Sequence, residues 1–235
     1  MKNAKQKTGA LRPKPVQQRS RKRVEEIIEA AAQLMFEEGA DALTTRSVAA
    51  RSGIPVPTIY RYFADRDAII IAFIEREMRE IDRQVAESVL QLDHVTVRGV
   101  IEAFGYAYMH HHQRHPKAAI ASFGSRQSEV VVAYVEAQDE RIALRLTAAF
   151  GSVGLLRTDT PRFVAKLMVR QFDRMFEFVF TTERTAEEQQ AIVDLFIDLT
   201  ATYLEQQFAT PAGIEGVARD DFVEALAKLI EDNRE

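Results

Sequence analysis

The 235-residue sequence contains no cysteine. That absence excludes disulfides, zinc-thiolate sites and thiol catalysis, and it fits a reducing cytoplasm. Also missing is any run of about 18 apolar residues, and the basic N-terminus is not followed by an uninterrupted apolar stretch, so the chain reads as neither membrane-spanning nor secreted. No Gly-rich phosphate loop, nucleophile elbow or metalloprotease motif occurs, which leaves an enzyme reading without residues to rest on. The expectation is a cytoplasmic, non-enzymatic protein with no cofactor, no metal and no membrane partner. With 46% hydrophobic residues it is globular, with a sizeable core.

Acidic residues are absent from one place in particular. Residues 1 to 23 hold nine Lys or Arg and no Asp or Glu, whereas the remainder carries 22 basic against 35 acidic residues, a balance of −13 within an overall charge of −4. A basic arm ahead of an acidic body is a footprint of phosphate binding, or else simply a solubilising tail.

From Val24 the apolar residues fall at Val24, Ile27, Ile28, Ala31, Leu34 and Met35, the pattern of a helix with one buried face, which Gly39 stops. Thr44 then N-caps a short helix through Arg51, and Gly53 sits where the chain leaves it in a left-handed conformation. The stretch GIPVPTIYRYF follows, with two prolines two positions apart. Proline lacks an N–H and is tolerated in a turn or a helix's first turn, so Pro55 belongs to the turn and Pro57 to the first turn of a third helix over 56–62. Ile59 and Phe63 turn inward beside Ile54, and the rest of that surface is left for solvent or a partner. Two short helices joined by such a turn form a helix-turn-helix, whose second helix enters the major groove of DNA. A long fourth helix follows Asp65, with Ile70, Phe73, Ile74, Met78, Ile81, Val85 and Val89 on one stripe and a Glu75–Arg79 pair outside.

Beyond Asp93, breaks at Pro116, Gly124, 151–161, 181–185 and 211–216 delimit further helices, and no strand alternation stands out. The architecture is all-α. Thr160-Pro161 reads as an N-cap with Pro at N1, and Thr185 with Glu188 as a capping box. The helices that follow are apolar on two sides, as expected of elements packed on their own body and on a second subunit, with Phe196, Leu199 and Tyr203 at the interface. Phe104, Tyr108, Phe123, Tyr134, Met168, Phe172, Met175 and Phe176 either line an apolar ligand cavity or form ordinary core. His111 and His115 have chelating spacing, yet histidines in a helix's last turn are favoured by its dipole without any metal. Asp173 and Glu177 stand one turn apart, and ion pairing with Arg170 and Arg174 accounts for them better than acid-base work.

Residues 24 to 74, with LMFEEGADALTT, RSVAARSGIPVPTIYRYF and ADRDAIIIAFI, resemble the TetR family of bacterial transcriptional regulators. Two positions depart from it: Ser47 stands where many members have Glu, and Pro55 where a Ser or similar residue often caps helix three. The resemblance implies an N-terminal three-helix domain with a helix-turn-helix and a larger C-terminal helical bundle. The division is a basic arm at 1–20, a DNA-binding domain at 21–66, and a ligand-binding and dimerisation domain at 67–235. It further implies a homodimer on double-stranded operator DNA, acting most often as a repressor that a small apolar ligand releases. Carried over residue by residue, the DNA contacts are Thr45, Arg46, Val56, Pro57, Thr58, Tyr60, Tyr62 and Arg66. Arg46 suits guanine, the hydroxyls and Arg66 suit phosphates, and Val56 with Pro57 offers only apolar contact. The competing reading is an all-α scaffold that uses the helix-turn-helix for protein contacts. A steep salt dependence of binding to bulk DNA separates the two.

Overall fold

The structure is a computed structural model that describes the backbone of residues 15–232 and the side chains of residues 19–227. Helix α1 spans Pro15–Glu38 and buries Ile27, Ile28, Ala31, Leu34 and Met35 on one stripe. It begins earlier than the basic arm allowed, so residues 15–20 are helical. The rest of the arm lies outside the described residues. Gly39, at φ 84°, turns the chain into a 3-10 segment at Ala40–Ala42.

Helix α2 (Thr45–Ser52) starts on a complete capping box. The Ser47 amide donates to Thr44 Oγ1 at 3.0 Å, and the Thr44 amide donates to Ser47 Oγ at 2.8 Å. The serine therefore does here what a longer acidic side chain does in a usual box. Gly53 closes α2 at φ 70°, and α3 (Val56–Tyr60) follows with Pro55 as N-cap and no side-chain cap. Helix α3 is thus two residues shorter than the sequence suggested. Asp65 then caps α4 (Arg66–Val89), accepting from the Ala68 amide at 2.8 Å.

The larger body holds α5 (Val97–Arg114), α6 (Pro116–Gly124), α7 (Glu129–Ser152), α8 (Phe163–Phe180), α9 (Ala186–Gln207), α10 (Pro211–Glu215) and α11 (Arg219–Asp232). Two strands of two residues, β1 (His94–Val95) and β2 (Val217–Ala218), pair antiparallel. They are too short for alternation to register in a sequence. Thr185 and Glu188 form the expected capping box on α9. The start of α8 differs from expectation: the Thr160 hydroxyl donates back to Arg157 O at 2.7 Å, and the helix begins at Phe163 without a side-chain cap.

Burial sorts the apolar residues into two clusters. One gathers α1, α2, α3 and the first half of α4, together with Ala121 of α6 and Val131 of α7. The other gathers Ile81 and Val89 of α4 with residues of α5 to α9 and Phe222 of α11. Helix α4 belongs to both. Midway along it, Glu77 is buried and accepts from His111 Nε2 of α5 at 3.1 Å while Arg76 Nε lies 3.2 Å from its other oxygen. Burial works to raise this carboxyl, but the bond from His111 and the Arg76 guanidinium outweigh it and hold it below the usual carboxylate range. Further ties join α4 to α7: Ser128 Oγ donates to Asp67 at 2.6 Å and Tyr134 OH to Glu75 at 2.8 Å.

Candidate nucleic-acid interface and ligand chamber

Helices α2 and α3 hold their surface through Val48, Ile54, Ile59 and Phe63, all buried beneath them. What remains outward is a polar ridge. Arg46 is exposed, Tyr60 is 54% exposed, and Pro57 and Arg61 are exposed beside them, while Thr45, Val56, Thr58 and Tyr62 are half-buried. Thr45 Oγ1 and Tyr60 OH lie 3.2 Å apart, which links the start of α2 to the end of α3 and presents two hydroxyls at one point. The Arg61 guanidinium stands 6.0 Å from the Tyr62 ring centroid, and Tyr62 packs partly into the core below.

Arg66 sits differently from its neighbours. Its Nη2 donates to Ala40 O at 2.7 Å and its Nε is buried without a partner, so the side chain braces the segment that leads into α2. Arg51 likewise turns away, pairing with Glu37 at 2.7 Å and Glu38 at 3.0 Å on α1. Arg46 and Arg61 make no ion pair among the described residues, and as open cations they complement phosphate or a base edge.

Within the body, an apolar cavity of about 100 Å³ lies between α4, α5, α7, α8 and α9. Of the aromatic and sulfur residues singled out in the sequence, Phe104, Met168 and Phe172 line it. A smaller chamber of about 30 Å³ adjoins it, with Phe104, Ile142 and Val169 in the walls of both. Tyr108 and Phe176 line that chamber, their rings stacked with centroids 4.1 Å apart. Phe123, Tyr134 and Met175 line neither: Phe123 packs against His112 and Arg126, Met175 is buried in the body's core, and Tyr134 reaches the cluster under the helix-turn-helix. The remaining wall, which sequence reasoning missed, includes Val85, Leu146, Val164 and Leu204. Their aliphatic side chains carry no mark in a sequence that tells a wall from a core.

Polar groups at this end pair across the fold rather than along the helix. Asp173 takes both its bonds from Arg126 Nη1, at 2.8 and 2.6 Å, and Arg170 pairs with Glu136 at 3.0 Å. Only Arg174 pairs locally, with Glu177 at 2.5 Å. His111, bonded to Glu77, and His115 have ring centroids 5.1 Å apart, and the described residues hold no group of three or more His, Cys, Asp or Glu arranged to bind a metal. No described helix is long and apolar enough to cross a membrane.

On α9, Leu199 is 61% and Tyr203 51% exposed, while Phe196 turns half inward to meet Phe172 edge-on with centroids 4.9 Å apart. Leu195, 61% exposed and one turn before Leu199, continues the outward stripe that sequence reasoning had given to Phe196. Phe163, Leu167 and Phe178 of α8 are also exposed.

Residues 27–73 match the family model described as bacterial regulatory proteins, tetR family. A search of curated proteins finds no match. Among solved structures, a TetR-family transcriptional regulator from Streptomyces coelicolor is similar at 25% identity and a TM-score of 0.61, over 78% of this chain and 98% of that one. The transcriptional regulator FadR from Bacillus subtilis, solved in complex with stearoyl-CoA, is similar in fold at 17% identity and a TM-score of 0.57, over 76% and 97%. The fatty acid degradation regulator FadR from Bacillus halodurans shares the fold at 16% identity and a TM-score of 0.59, over 76% and 94%. The family match falls on the helix-turn-helix whose exposed ridge is described above, and the shared fold extends over the helical body. Residues 27–73 therefore carry the region that the tetR-family model describes, and the chain as a whole has the fold of TetR-family transcriptional regulators.

Proposed function

We propose that the protein is a ligand-responsive transcriptional repressor, a homodimer that leaves its operator when an apolar small molecule enters the body. The observation that carries this reading is the double membership of α4. Its Ile74 is part of the core under the helix-turn-helix and also part of the smaller chamber's wall, and its Val85 lines the larger cavity. A compound that reshapes the chamber therefore bears on the helix that seats the DNA-binding unit. Through α4 it changes the separation of the two recognition helices in the dimer. Ligand and operator are then linked by a coupling of about 1–3 kcal/mol, and each weakens the other by the same factor.

The roles given above to Arg46, Thr58, Tyr60 and Tyr62 at DNA, and to Leu199 and Tyr203 between subunits, are part of the same proposal. The open cations and hydroxyls of the ridge favour DNA over a protein partner, which would want exposed apolar anchors there. The stearoyl-CoA complex of a regulator with this fold supports a hydrocarbon-bearing ligand. The test is selection of bound sequences from a random DNA pool, followed by release from the selected site with apolar compounds. A two-fold symmetric motif is expected, with affinity lowered by any compound that binds the body. A compound that binds tightly and leaves operator affinity unchanged counts against the lever.

A further inference from the structure

The smaller chamber contains one carboxylate that no side chain among the described residues pairs with directly. Asp139 of α7 is 9% exposed, lines the chamber, and has no hydrogen-bond or ion-pair partner among the described residues. The cations nearby pair with other carboxylates, Arg126 with Asp173 and Arg170 with Glu136, though each keeps a buried Nε without a partner and both act on Asp139 through space. Of the charged groups in the chamber wall, one guanidinium, Arg126, faces two carboxylates, Asp139 and Asp173, which leaves one negative charge in excess. Burial first, then the Asp173 charge, with Arg126 opposing them, pushes the Asp139 carboxyl up to about 6. Above that pH it is mostly ionised. The other groups facing it are Tyr108 of α5, a phenol that burial keeps neutral, the Gln138 amide, and Ile74 and Met78 of α4. Beyond the shared wall residues, the larger cavity is almost entirely apolar.

We propose that this pair of chambers binds an amphipathic cation, with its hydrocarbon or aromatic body in the larger cavity and its ammonium group against Asp139. The inference rests on the ligand-sensor reading and adds the chemical class of the ligand. An anionic headgroup is disfavoured by the same geometry, because even at the unpartnered Nε of Arg126 it would lie beside two carboxylates, Asp173 and the unpaired Asp139. A neutral compound leaves Asp139 buried and unpaired.

Octylammonium, octanol and octanoate share one hydrocarbon chain and differ in headgroup charge, so calorimetric titration of the purified protein with each separates the cases. At about pH 8 octylammonium is expected to bind on the order of tenfold more tightly than octanol, and octanoate more weakly than either. That preference should fade as the pH falls through about 6, where Asp139 takes up its proton. In Asp139→Asn the preference for octylammonium should vanish while octanol binds as before, which also verifies that the variant folds. The pH series on the unmodified protein gives an independent reading if the variant does not fold. Equal binding of octylammonium and octanol, tighter binding of octanoate, or a preference that persists in Asp139→Asn overturns the cation and leaves the sensor reading intact. If none of the three binds the unmodified protein, both fall.

Discussion

At the scale of single residues, Arg46 and Arg66, read from the sequence as a base contact and a phosphate contact, differ also in that Arg66 is tied into the fold. Arg46 is exposed and free of ion pairs among the described residues, so Arg46→Ala is expected to weaken the preferred DNA site by about 1–3 kcal/mol and relax base preference there, leaving thermal stability unchanged. Arg66 holds the Ala40 carbonyl, so Arg66→Ala should lower stability by about 1–3 kcal/mol as that acceptor loses its partner, and should weaken all DNA sequences alike. Paired measurements of denaturation and of binding to preferred and scrambled DNA check both. The residue type and spacing of Arg66 fit a phosphate contact. Its bond across 26 positions to a backbone carbonyl has no trace in the sequence.

Asp139 permits a second test of a different kind. Its folded pKa lies above the usual carboxylate value, so the native state binds the extra proton, and stability declines as the pH rises from about 4 to about 6 and stays lower above it. Asp139→Asn removes that loss. It should stabilise the protein at neutral pH by on the order of 3 kcal/mol and change little at about pH 4. Urea denaturation at the two pH values is the measurement, and an equal effect at both would show that Asp139 is not the group responsible. The same chamber illustrates what a sequence hides. Asp173 has Arg170 and Arg174 as close neighbours in the chain, yet its partner is Arg126, 47 positions away.

At the scale of elements, what could be read in advance were the parts governed by local chemistry. Thr44, Gly53 and the two prolines fixed the helix-turn-helix because caps, left-handed turns and missing N–H groups act within a few residues. The start of α8 misled for the same reason: Thr-Pro has the form of a cap, but the Thr160 hydroxyl is taken by Arg157 O in the preceding turn. The two-residue strands depend on a pairing between positions more than a hundred residues apart and were invisible. Glycines give a test of this distinction. A Cβ added at Gly53 meets nothing within 4 Å, so Gly53→Ala should incur only the left-handed backbone penalty, about 1–2 kcal/mol. At Gly213 the added Cβ would stand 2.1 Å from Leu155 O, and Gly213→Ala should displace α10 altogether. Denaturant unfolding of the two variants should give a small loss for the first and a much larger one for the second.

At the scale of the whole molecule, α9 has an outward stripe at Leu195, Leu199 and Tyr203 and an inward one that includes Ile197 and Leu204. Leu199→Asp places a charge where the single chain is open to solvent, and in the proposed dimer that charge would be buried. It is expected to yield folded monomers, whereas Phe196→Asp, which breaks the contact with Phe172, should destabilise the body itself. Sedimentation together with circular dichroism distinguishes these outcomes, and a dimeric Leu199→Asp protein would move the interface elsewhere.

The shared helix α4 also bears on how the molecule comes apart. Because Phe73 and Ile74 are anchored in one cluster and Ile81 in the other, with Glu77 bonded to His111 between them, neither cluster can melt while leaving α4 intact for its neighbour. The chain should therefore unfold in one cooperative transition despite its two cores, with coincident loss of helix and of tyrosine fluorescence. Amides along the middle of α4 should be among the last to exchange with deuterium, opening only through global unfolding. Damage deep in the larger helical body would then lower the population of competent DNA-binding units without touching a single residue of the helix-turn-helix.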